Sequence, residues 1–197
     1  MSCRFYKVIF QTLLTLLPST VFAATDGEIS SEFLYCAAVF NAGQAVANNP
    51  AIIQYTGRQY TKYLVSSVAL ASGDYVKEQY NAAVERYNIF LKESANDGNF
   101  GKKLSEQMNF CDQTQKTYQS KIDSYAKPTA SEGVNPIVAI EGTTSPLEAL
   151  IALGKPEYET YNADGQFTYL YPTSIGKDVY LFDRFNKLVR LAKYCES

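Results

Sequence analysis

Histidine and tryptophan are both absent from this chain of 197 residues. Without histidine there is no Ser-His-Asp or Cys-His relay and no His-containing metal site. Basic residues are also scarce: 18 Lys and Arg face 20 Asp and Glu, for a formal net charge of −2. Phosphate contact needs a basic footprint, so no nucleic-acid partner is expected. Only 19% of the chain is charged and 46% is hydrophobic, which excludes a disordered tail protein and suffices for a core. One compact domain or two small ones fit the length.

The N-terminus carries a targeting pattern. Arg4 and Lys7 precede the apolar run 8–17, and Val21 and Ala23 satisfy the −3/−1 rule. Residues 1–23 therefore read as a signal peptide cleaved after Ala23, and the mature chain as periplasmic or secreted. The run is shorter than the roughly 20 residues of a span, and no later segment is long and apolar enough, so no membrane span is expected. Cys3 precedes the apolar run, which argues against a lipid anchor. Cleavage removes Arg4 and Lys7 and no acid, leaving 16 basic and 20 acidic residues, a net charge of −4.

Cys36, Cys111 and Cys195 remain. An exported chain meets an oxidising compartment, where a disulfide is the default. Cys36 and Cys111 both lie on helical apolar faces and are the expected pair. Cys195, near the C-terminus, is left as a free thiol, a link in a dimer, or a partner of one of the others. No CxxC or Cys/His spacing supports a metal site, and no cofactor is expected.

Residues 24–126 read as a helical bundle. Ser30 or Ser31 can cap a first helix carrying Phe33, Cys36, Ala37, Phe40 and Ala47. Asn48-Asn49-Pro50 stops it. A second helical segment starts at Ala51. Ser72-Gly73-Asp74 either kinks it or divides it, so the bundle has three or four helices. The last helix has the cleanest stripe: Leu104, Met108, Cys111, Gln115, Tyr118, Ile122 and Tyr125. With three helices Cys36 and Cys111 lie level; four would make the pairing less level. Residues 127–144 are Pro-, Gly- and Thr-rich and read as a linker, with 137–140 as a short docking strand.

Residues 145–197 read as a small module of one helix and an antiparallel sheet, which makes the fold class α+β. Ser145 caps and Pro146 opens a short helix that Gly154 ends. Strands follow at 158–161, 166–171, 178–182 and 188–194, with a hairpin turn at Asn162-Ala163-Asp164-Gly165. Phe167, Tyr169, Tyr171, Tyr180 and Phe182 share one face of this sheet; Leu170, Val179 and Leu181 share the other. The sheet is thus apolar on both sides. The short helix is expected on the aliphatic side by size. The helical part of the chain, or a protein partner, is expected on the aromatic side.

Leu153-Gly-Lys-Pro156, the Asp164-Gly165 turn, Tyr169-Leu-Tyr171 and Val179-Tyr-Leu-Phe-Asp183 with Asn186-Lys-Leu-Val189 resemble the SmpA/OmlA (BamE-like) envelope module. The likeness covers about a quarter of the chain. It implies two helices on a three-stranded antiparallel sheet, and a role in outer-membrane assembly or as a non-catalytic envelope module. This chain departs from that pattern in lacking the lipid-anchoring Cys and in having one helix directly before its strands.

No catalytic constellation emerges. Ser174-Ile-Gly-Lys177 matches Ser-x-x-Lys, but it falls in a hairpin loop and Lys-Thr-Gly is missing. Gly98-Asn-Phe-Gly101-Lys-Lys lacks the phosphate-loop spacing. Glu157 and Glu159 read as ordinary strand acids, and the aspartates show no calcium-loop spacing. The sixteen tyrosines are the distinctive component, suited to core seams or to contact surfaces. The expected function is that of an exported, non-catalytic envelope or secreted protein acting through protein–protein contact. The alternatives are a secreted hydrolase using carboxylates alone, and a secreted effector or inhibitor with a tyrosine-rich docking face.

Overall fold

A computed structural model of the chain describes residues 24–96, 98–125 and 139–195. The proposed signal peptide and most of the linker lie outside them. Four helices come first: α1 Asp26–Val46, α2 Pro50–Leu70, α3 Gly73–Asn96 and α4 Phe100–Tyr125. A short α5, Pro146–Leu153, leads into strands β1 Tyr158–Tyr161, β2 Phe167–Thr173, β3 Gly176–Phe182 and β4 Leu188–Cys195. The fold is α+β, with a helical N-terminal part and an antiparallel sheet of order β1-β2-β3-β4.

The cap of α1 is Thr25, not Ser30 or Ser31. Its hydroxyl accepts from the Glu28 backbone, and the Glu28 carboxylate accepts from Thr25 N in return, a capping box. Ser30 is needed elsewhere: its hydroxyl and that of Ser67 on α2 each donate to the other's carbonyl at 3.2 Å. Helix α1 is buried around most of its circumference, as Phe33, Leu34, Cys36, Ala37, Val39 and Phe40 show, with Glu28 and Glu32 on an exposed strip, so it forms the centre of the bundle.

The chain divides at Gly73, and yet Cys36 and Cys111 are joined, with Cα atoms 5.5 Å apart. Helices α1 and α4 run antiparallel, as the pairs Asp26–Lys121, Phe33–Tyr118 and Tyr35–Gln107 show. Cys36 lies at the middle of α1 and Cys111 close to the middle of α4. Midpoints meet in either orientation, so a fourth helix does not offset the bridge. Tyr63 on α2 locks the same level by donating to the Cys111 carbonyl.

Residues 139–144 form no strand. They dock through backbone bonds to β4: Gly142 N donates to Leu188 O, and Leu188 N to Thr144 O. The helix α5 opens with a second capping box, Ser145 with Glu148, and has Pro146 at its first turn. The expected β1–β2 hairpin forms, with Asn162 N donating to Gln166 O. The β2–β3 connection is tighter than the sequence suggested. Pro172 and Thr173 stay in β2, and only Ser174 and Ile175 turn.

Two loops of the sheet grip the C-terminal end of α1. At the β1–β2 turn Gln44 Nε2 donates to Gly165 O at 3.0 Å. Gly165 has φ +89°, and a Cβ there would meet Arg184 and Ile53 within 3 Å, so glycine is required twice over. At the β3–β4 turn Arg184 donates to the carbonyls of Gln44, Ala45 and Ala47. These are the carbonyls a helix end leaves unpaired.

Candidate functional site

The register of the sheet sorts its side chains. Tyr161 pairs with Phe167, Phe167 with Phe182, and Tyr169 with Tyr180, so these rings share one face. Phe182 pairs with Leu188 but Tyr180 with Leu191. One extra residue on β4 turns both leucines to that face. Phe167, Tyr169, Tyr171, Tyr180 and Phe182 are all buried in the core that also contains Tyr60, Leu147 and Leu150.

The cover over this aromatic face comes from α2. Tyr60 meets the edge of the Phe167 ring, and the hydroxyls of Thr61 and Tyr169 share a hydrogen bond of 2.9 Å. Burial holds the Tyr169 phenol well above its ordinary pKa. Tyr171 donates to Gly154 O at the end of α5. That bond, with Leu147 and Leu150 in the shared core, places α5 on the aromatic side. This corrects the sequence-based expectation that α5 covers the aliphatic side. The reason lies on α3: Gly73 leaves room for Ile151, whose Cγ2 would sit 2.5 Å from a Cβ at that position.

The opposite face carries Leu170, Val179, Leu181 and Ala192, with Tyr158 and Tyr194 at its two edges. All four aliphatic residues remain partly exposed, and none joins the core among the described residues. The two tyrosines are 61% and 60% exposed. Thr160, Thr168, Lys177 and Arg190 share this face and give the apolar centre a polar rim, the anatomy of a contact surface. Cys195 lies exposed at the end of β4 with no disulfide partner.

The other candidates disperse. Ser174 sits in the β2–β3 turn and Lys177 on β3, with no helix start to present the serine. Gly98 to Lys103 form a loop and the first turn of α4. Glu157 lies exposed before β1. Glu159 points to the covered face, half-buried, and accepts from the Tyr161 hydroxyl at 2.9 Å. Burial raises its pKa, against the lowering effects of Tyr161 and of nearby Lys155. Among the described residues there is no group of three His, Cys, Asp or Glu placed to hold a metal. No described helix is long and apolar enough to cross a membrane.

Thr61, Tyr60 and Tyr161 were missed as partners of the aromatic face. Tyr60 shares the apolar stripe of α2 with Tyr63 and Leu64, whereas Thr61 lies off it, and only a helix buried beyond that stripe uses all four. Compared with known protein families, curated proteins and solved structures, the chain has no match.

Proposed function

We propose that this chain is an exported, non-catalytic protein of the periplasm or the extracellular space that acts through protein–protein contact, with the back face of the sheet as the contact surface. The observation that carries the reading is that face: Leu170, Val179, Leu181 and Ala192 flanked by exposed Tyr158 and Tyr194, beside an aromatic face that the chain covers itself. An apolar patch of this kind with a polar rim is the usual mark of an interaction site. The Cys36–Cys111 bridge supports an oxidising destination, and the n-region, apolar run and Ala23 support a cleaved signal. The likeness to SmpA/OmlA modules supports a small α+β envelope module. Cys195 extends the proposal: exposed at a strand end, it links two copies.

A photo-crosslinking residue at Leu181 of the exported chain, irradiated in intact cells, tests the surface. A discrete cross-linked protein is expected from position 181 and none from position 92, on the exposed side of α3. Equal labelling from both positions, or none from either, would sink the reading. Non-reducing electrophoresis, with Cys195→Ser as control, separately tests the linked dimer.

A further inference from the structure

A groove of about 750 Å³ opens between α2, the C-terminal part of α4 and the start of the sheet. Its charge is unusual for an acidic chain. Arg58 and Lys62 of α2 line it one turn apart, and Lys155 enters from the α5–β1 connection. Like charges four residues apart on a helix repel. Ion pairs elsewhere join Lys77 to Glu148, Lys102 to Glu106, Lys121 to Asp26 and Lys193 to Asp178. Among the described residues Arg58, Lys62 and Lys155 make none.

Two carboxylates, Glu159 and Asp123, also reach the groove, so its three cations outnumber its acids by one. Glu159 accepts from Tyr161, and burial favours its neutral form. Asp123 accepts from Gln119 Nε2 at 2.6 Å. Val65 and Ala69 add an apolar wall along α2. A concave, partly apolar space of this size with convergent polar groups suits a small molecule.

We infer that the groove binds a small organic anion carrying two or more negative charges, held by Arg58, Lys62 and Lys155, with its carbon skeleton along Val65 and Ala69. The guanidinium of Arg58 provides the planar fork for a carboxylate or a phosphate, and the two ammonium groups supply point charges. This inference is independent of the contact surface, because the groove lies on the helix-covered side of the sheet.

Isothermal titration of the mature, disulfide-bonded chain with citrate and with phenyl phosphate is the test. At least one is expected to bind below about 1 mM, more weakly as salt rises. Binding by citrate alone assigns the site to carboxylates, and binding by phenyl phosphate alone to phosphate esters. Arg58→Gln combined with Lys62→Gln should weaken binding by about tenfold or more, and Lys155→Gln alone should weaken it measurably. Lys92→Gln, outside the groove, should leave it unchanged. The double variant removes a like-charge pair, so its melting temperature should stay level or rise, which separates lost binding from lost fold. No heat from either compound at about 10 mM, or binding that survives the double substitution, overturns the inference.

Discussion

The helical part and the sheet solve the same problem with different results. Both are rich in apolar side chains. In the bundle, α1 is buried around most of its circumference because α2, α3 and α4 each have a face to lend it. In the sheet, one face receives α2 and α5 and the other receives no described element. The two sheet faces look alike in the sequence, aromatic against aliphatic, and hydropathy gives no reason to cover one first. Reach decides. The tall Tyr169 ring meets Thr61 across the interface and Tyr171 meets Gly154, whereas the shorter Leu170 and Val179 project from the far side. A sheet that is apolar on both faces and covered on one is asymmetric by construction, and the asymmetry separates what holds the chain together from what it offers to others.

The largest expected effect breaks that comparison directly. Tyr169→Ala should destabilise the chain by about 3–5 kcal/mol, as buried aromatic truncations do, whereas Leu181→Ala on the back face should cost less than about 1 kcal/mol. Chemical denaturation followed by circular dichroism measures both. Tyr169→Ala should also lower helical and sheet signals in one transition, since the core runs through both parts. A sheet that melts ahead of intact helices would show the two parts to be energetically separate.

Next in size is the bridge. Cys36→Ala should cost about 2–5 kcal/mol in oxidised protein and much less in reduced protein, where only the packing of the buried thiol is lost. Peptide mapping without reductant should return Cys36 joined to Cys111 and Cys195 unpaired. Cys36 and Tyr169 belong to one core but do not touch, so within one cooperative transition the losses from Tyr169→Ala and Cys36→Ala should add.

Arg184→Ala sharpens the comparison at the join. It removes three bonds to the end of α1 and should cost about 1–2 kcal/mol, the range of a lost helix cap with part of its charge interaction. Amide exchange should quicken first around residues 44–47.

The smallest effect has a defined sign. The Glu159 pKa is raised by burial, so the folded chain holds that proton more tightly than the unfolded chain. The stabilisation is complete below the ordinary carboxylate pKa and is lost as pH rises through the folded value. Glu159→Gln stays neutral throughout. Its melting temperature should therefore exceed that of the parent at about pH 7 by more than at about pH 4.

Punctuation made much of the architecture legible. Asn49-Pro50, Ser145-Pro146, Gly154 and Asn162 to Gly165 each fix a boundary by a local rule, and the structure places boundaries there. Thr25 was overlooked because it follows the proposed cleavage site and no apolar periodicity precedes Ile29, although Thr25-x-x-Glu28 has the spacing of a capping box. The position of α5 was illegible for a different reason. It depends on Gly73 making room for Ile151, a contact between residues 78 positions apart. The groove is harder still, because Arg58, Asp123 and Lys155 come from three elements whose proximity only the packed chain creates.

Arg184 caps a helix that ends at Val46, across 140 positions of sequence from Gln44. A ribosome delivers the first helix long before the residue that finishes it. Until the β3–β4 turn arrives, the last carbonyls of α1 face water, and the hairpin tip at Gly165 has not yet docked beside them. Such distant closure makes for slow folding, since the chain must pay for a large loop before the contact rewards it. The end of α1 is thus completed only when the last hairpin has returned to it.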